Sequence, residues 1–190
     1  MKKLLAAIVL LFTLQACGSS GPSFLNTDVT GADYGKELSL TDHTGKPRTL
    51  ADFRGKIVVL FFGYTRCPDV CPTTLSEMKM ILDKLGEDQK KIQVLFVTID
   101  PERDTPELLA KYVPGFHPSF LGLYGDAEAT KRTAKDFKIF YQKQPMRGGG
   151  YTMDHSAGTY IYDTSGRLRL FAAYGQGAQK LLHDIRLLMQ

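Results

Sequence analysis

Two near-continuous apolar runs, Ile57–Tyr64 and Ile92–Ile99, constrain the fold of this 190-residue chain more than any other feature. Runs of this length, rich in β-branched and aromatic residues, read as strands buried on both faces, and strands of that kind belong to sheets covered on both sides. Between them, Leu75, Met78, Leu82 and Leu85 fall on one face of a helix over Pro72–Leu85, with Gly86 as its stop. The pattern continues with a short helix at Thr105–Val113, a strand at Phe120–Tyr124 and a helix at Ala127–Phe137. Strands at Thr159–Tyr162 and Leu168–Tyr174 and a closing amphipathic helix at Ala178–Met189 complete it. Upstream, Glu37–Leu40 and Arg48–Leu50 flank Thr-Asp-His-Thr-Gly-Lys, an N-terminal β-hairpin signal. The expected fold class is α/β, a mixed central sheet flanked by helices.

The N-terminus reads as a targeting segment rather than as part of this fold. Lys2 and Lys3 precede an apolar run from Leu4 to Leu14 that is short for a bilayer span. It ends in Leu14-Gln15-Ala16-Cys17-Gly18, which looks like a bacterial lipobox and implies cleavage before Cys17 and lipidation of that cysteine. The organisation expected is a lipoprotein signal peptide over 1–16, a flexible tether over 17–35 carrying the lipidated Cys17, and a folded domain over 36–190. Its place is then the bacterial cell envelope, anchored on the extracytoplasmic side of a membrane. The basic residues are scattered and the net charge is only +4, so nothing marks a nucleic-acid groove.

With Cys17 set aside, Cys67 and Cys71 remain, three residues apart and each followed by proline. Proline disfavours helical geometry in the residue before it and fits only a helix's first turn. Cys71 is therefore expected just before the helix, with Pro72 opening it and fixing its start. Unpaired N–H groups at the helix start would make Cys71 ionise more easily than a free thiol. A structural disulfide across so short a loop would constrain the unfolded chain little. A redox pair and a metal site stay open; the spacing has one residue more than the thioredoxin-type C-x-x-C motif.

Four histidines are present. His43 falls in the hairpin turn, His117 in a loop and His183 on the polar face of the last helix, so all three read as solvated. His155 follows Gly148-Gly149-Gly150 and precedes a strand. The glycines read as a mobile loop from which His155 could close on a metal held by the sulfurs.

Three stretches, GYTRCPDVCP, TIDPERDT at 98–105 and DHSAGTYIYD at 154–163, together resemble the Sco/SenC family. The resemblance runs from about residue 36 to the C-terminus. It implies a thioredoxin-like fold and an exported copper-binding protein that helps assemble the copper site of cytochrome c oxidase. Carried over residue by residue, the copper ligands would be Cys67, Cys71 and His155. Two thiolates and an imidazole are a soft set suited to Cu(I), an added water or carboxylate would make a tetragonal site for Cu(II), and no fourth ligand at zinc-site spacing is evident. In thioredoxin-like proteins the loop before this strand carries a cis-proline, whereas residues 154–158 contain no proline.

Around these ligands, Asp69, Pro72, Asp100 and Asp154 are candidates for supporting roles. Asp100 would bond the thiol loop and Asp154 would orient His155; Asp104 reads as a helix cap and Met153 as a packing residue. The expected role is a copper metallochaperone acting on oxidase subunit II, supplied by an upstream copper donor. The alternatives are a thiol-disulfide reductase, in which Cys67 and Cys71 form a redox-active disulfide, and a copper or redox sensor.

Overall fold

The structure, a computed structural model, describes residues 23–190; the expected signal peptide and Cys17 lie outside the described residues. The two apolar runs form β4 (Ile57–Gly63) and β5 (Ile92–Thr98), every residue of which is buried. They pair in parallel from Ile57↔Ile92 to Gly63↔Thr98. Strand β6 (Leu121–Tyr124) extends the parallel set beyond β5. On the other side of β4 lie β9 (Gly158–Tyr162) and β10 (Leu168–Ala173), both in antiparallel pairings. The sheet is closed off by β2 (Leu40–Asp42) and β3 (Pro47–Arg48) at one edge and by β1 (Thr27–Asp28) at the other. The order is β1-β10-β9-β4-β5-β6-β2-β3.

Because side chains alternate across a strand, β4 and β5 build two cores at once. Ile57, Val59, Phe61, Val94 and Phe96 face one side. There they meet α1 (Val70–Leu85), α2 (Pro106–Tyr112) and α4 (Ala178–Leu188) through Leu75, Met78, Leu109 and Ile185. Val58, Leu60, Phe62, Leu95 and Val97 face the other side, where α3 (Ala127–Asp136) packs beside Phe137.

The structure corrects three expectations. The N-terminal hairpin tightens towards its turn, its first strand ending two residues later and its second ending two residues earlier than expected, because Asp42 closes the turn: its carboxylate accepts from the Thr44 hydroxyl (2.6 Å), the Lys46 N–H (3.1 Å) and Arg48 (2.7 Å). The stretch expected as free tether up to residue 35 is docked from residue 25 onward. The N–H groups of Leu25 and Asn26 donate to the buried Asp184 carboxylate (2.9 and 2.8 Å), β1 pairs with β10, and the Gly35 carbonyl accepts from the Tyr162 hydroxyl (2.6 Å). The glycine run is the tip of a hairpin, β7 (Tyr141–Pro145) with β8 (Tyr151–His155), which forms a separate two-stranded sheet. Gly148, Gly149 and Gly150 all take positive φ there, the conformation glycine adopts without steric cost.

Candidate metal centre

The carboxyl end of β4 delivers Tyr64 and the thiol loop onto the start of α1, the usual location for reactive groups in an open α/β sheet. Helix α1 begins at Val70 with Asp69 as its cap residue, so Cys71 lies inside the first turn rather than before it. Pro72, the third helical residue, costs nothing there, since the first four N–H groups of a helix have no intrahelical partner anyway. The Cys71 N–H instead points at Cys67 Sγ (3.4 Å).

This geometry also reverses the expected order of ionisation. Cys67 is the thiol held well below the ordinary range. Its thiolate accepts from the Cys71 thiol, the largest contribution, and from the backbone N–H groups of Cys71 and Asp69, against a desolvation cost. Cys71 is pushed up by its hydrogen bond to Cys67, by burial and by the neighbouring negative charge. Cys71 is only 1% exposed, whereas Cys67 is half-buried. The pair is therefore an accessible thiolate backed by a buried, protonated thiol.

His155 arrives from the end of β8. Its Nδ1 lies 2.9 Å from the Ser156 carbonyl, which can only accept, so Nδ1 carries the proton and Nε2 presents its lone pair. Cys67, Cys71 and His155 bring ligand atoms within 4.8 Å of one another. Two metal–ligand bonds of about 2.0–2.3 Å laid end to end span about 4–4.6 Å, so the three donors nearly enclose a single ion. Among the described residues this is the one such group of three.

A family model described as SCO1/SenC matches residues 26–190. The chain belongs to the SCO1/SenC family. It is 36% identical to the mitochondrial SCO2 homolog of mouse over 79% of its own length and 60% of that protein, so it spans less than two thirds of that relative. Among solved structures it is similar to Bradyrhizobium japonicum ScoI with copper bound, with 37% identity, a TM-score of 0.73, and coverage of 82% of this chain and 98% of that one. The apo Sco1 protein of Thermus thermophilus gives 41% identity and a TM-score of 0.77, with coverage of 90% and 99%. The fold is thioredoxin-like.

The supporting residues of this SCO1/SenC chain differ from those expected. Asp100 does not touch the thiol loop; its carboxylate accepts from Arg103 (2.5 Å) and from the Tyr151 hydroxyl (2.8 Å). Asp104 holds the loop instead. It is buried and accepts from the Thr65 N–H (3.0 Å), the Thr65 hydroxyl (2.6 Å) and the Thr98 hydroxyl (2.6 Å), while Thr105 caps α2. Burial pushes the Asp104 carboxyl upward against those bonds. Asp154 is exposed, and it is the Ser156 carbonyl that orients His155. Asp69 is exposed and accepts from the Thr73 hydroxyl (3.2 Å). Met153 is buried in the core. The other histidines are engaged elsewhere: His43 accepts from the Gly122 N–H, His117 contacts Ser119 and Gln89, and His183 contacts Asp184.

Sequence reasoning passed over Gly63. A Cβ there would lie 2.6 Å from Cys71 Sγ and 2.8 Å from the Phe96 ring. A lone glycine closing an otherwise bulky buried strand was the available signal, since such glycines mark close approaches. It also passed over Tyr64, whose ring stands edge-on to His155 at 6.0 Å and whose hydroxyl shares a hydrogen bond with Thr152 (2.8 Å).

Proposed function

We propose that this chain carries copper through Cys67, Cys71 and His155 and passes it to the binuclear copper site of cytochrome c oxidase subunit II. The observation that carries this reading is the convergence of two sulfurs and one imidazole nitrogen at an accessible end of the sheet. Copper is the cargo, and a soft S₂N donor set suits it better than it suits harder ions. The copper-bound state of the Bradyrhizobium japonicum relative supports the choice of metal. Cys67, already a thiolate, makes the first bond; Cys71 gives up its proton as the second bond forms; His155 adds the third through Nε2. Release follows when thiols of the acceptor replace these ligands one at a time. An upstream copper donor would load the site by the same exchange in reverse.

The reading places the chain in the bacterial cell envelope. A signal peptide over 1–16 and a lipid on Cys17 would anchor it, and several acyl chains suffice for stable attachment. Among the described residues no helix is long and apolar enough to cross a membrane.

A second reading, a thiol-disulfide reductase acting on the cysteines of subunit II, is favoured by one observation, the ordering of the two thiols. The Cys67 thiolate would attack a substrate disulfide, releasing one substrate thiolate and forming a mixed disulfide. Cys71, losing its proton, would then attack Cys67 Sγ, releasing the second substrate thiol and closing a Cys67–Cys71 disulfide. His155→Ala separates the two readings, because it removes a ligand and keeps both thiols. Delivery predicts that oxidase assembly at limiting copper fails in the mutant. Assembly at the wild-type level, in a mutant shown to have lost its copper, overturns delivery and leaves reduction.

A further inference from the structure

His155 sits on a hairpin that shares no strand pairing with the main sheet. Its only metal-facing side chain is therefore placed by whatever ties β7–β8 to the body. Met153 anchors the hairpin apolarly in the core. Lys143 of β7 pairs with Glu102 at the exposed surface, and the buried polar ties centre on Arg103, in the same loop between β5 and α2. Its Nη1 donates to the Tyr151 carbonyl (2.7 Å) and its Nε to Asp100 (2.5 Å). Asp100 in turn accepts from the Tyr151 hydroxyl, closing a ring of three residues that includes the Tyr151 main-chain carbonyl. The guanidinium lies 3.6 Å from the centroid of the Tyr151 ring and 5.9 Å from that of Tyr64. Tyr64 bonds Thr152 on the hairpin and abuts His155. This is not a loose surface pair: the Arg103 side chain is 14% exposed and Asp100 is 1% exposed.

Buried ion pairs contribute little net stability, because desolvation offsets the attraction, but removing one partner leaves the other charge buried and unpaired. A planar fork that donates in two directions and stacks on a ring holds a defined geometry in a way an ammonium does not.

We propose that Arg103, with Asp100 and Tyr151, is a latch that holds the β7–β8 hairpin closed over the thiol loop, making Arg103 the positioning residue for His155. The functional half of this rests on His155 being a metal ligand; the latch itself does not. Hydrogen exchange on the reduced, metal-free protein tests the latch. Arg103→Gln should raise exchange of the β7–β8 amides roughly tenfold, the lower end of what loss of a hydrogen bond to a charged group gives, and leave β4 and β5 unchanged. Arg103→Lys should restore little. Tyr151→Phe, which removes only the bond to Asp100, gives a milder version of the same change should Arg103→Gln fold poorly. Unchanged exchange of the hairpin overturns the latch.

Copper affinity tests the positioning. Arg103→Gln should weaken binding roughly tenfold when His155 is present and have no further effect in His155→Ala, the signature of a residue acting through another. Equal losses in both backgrounds overturn the positioning role. If His155→Ala leaves copper binding untouched, the ligand reading falls and takes the positioning role with it, while hairpin exchange still decides the latch.

Discussion

Gly63→Ala is the sharpest perturbation the structure offers. The added methyl would stand 2.6 Å from Cys71 Sγ and 2.8 Å from the Phe96 ring, about 1 Å and 0.6 Å inside ordinary contact. Something must move, and the surroundings dictate what. Phe96 is fully buried and packs edge-on against Phe61 at 5.4 Å and tilted against Tyr112 at 5.9 Å, so its ring has nowhere to swing. The Gly63 backbone is held in register opposite Thr98. Cys71 is the group left to yield, and its sulfur is displaced by a substantial part of an ångström. Overpacking of this kind costs about 1–3 kcal/mol. With a urea slope of about 2 kcal/mol/M, the unfolding midpoint should fall by about 0.5–1.5 M. Copper affinity should fall by roughly ten- to a hundredfold, the loss typical when the support of a ligand is disturbed. Urea unfolding followed by circular dichroism, and copper competition with a chelator, measure both. A variant with the wild-type midpoint and wild-type affinity would refute the claim that Gly63 makes room for the sulfur.

Two further outcomes follow from the ionisation states. Alkylation by iodoacetamide with peptide mapping should modify Cys67 at a rate already level across pH 5–7, since its thiolate forms well below the usual thiol range, while buried Cys71 stays unmodified; both cysteines titrating together near about 8.5 would contradict the assignment. Burial opposes ionisation of Asp163, but Ser165, Arg167 and Arg169 outweigh it and hold the carboxyl at about 2. The stability it contributes is complete above its unfolded value of about 3.9 and is lost as pH falls toward 2, at most about 2.6 kcal/mol. Asp163→Asn should remove that part of the acid limb of the stability profile, and an unaltered acid limb would count against it.

Strands β4 and β5 were legible almost to the residue, because a buried parallel strand announces itself as an apolar run. Helix α1 was legible except at its start. The rule that proline disfavours helix in the preceding residue yielded to the fact that a third-position proline forfeits no hydrogen bond. The β7–β8 hairpin was hidden because YQKQP and YTMDH show no sustained apolar alternation; Met153 alone is buried, with Tyr141 and Tyr151 partly buried against the core. The docking of residues 25–28 was hidden for a similar reason, since it depends on a buried carboxylate 150-odd positions away.

At the candidate metal centre, cysteine spacing and the three motif stretches pointed to Cys67, Cys71 and His155, and the fold brings these three together. The roles of the surrounding acids were not readable. Whether Asp100 or Asp104 faces the thiol loop depends on how the turn after β5 folds, which neighbouring positions in sequence do not reveal.

The central claim, that two sulfurs and one imidazole hold copper, is tested most directly by titrating Cu(II), whose unpaired electron reports its ligands, into the reduced protein and its His155→Ala variant, followed by absorption and electron paramagnetic resonance. The account predicts one equivalent bound per chain in the wild type, with sulfur-to-copper charge transfer and nitrogen hyperfine coupling. In the variant the charge transfer should persist at weakened affinity and the histidine nitrogen coupling should vanish. Nitrogen coupling that survives in His155→Ala, or a wild type that takes up no copper in the reduced state, would contradict it.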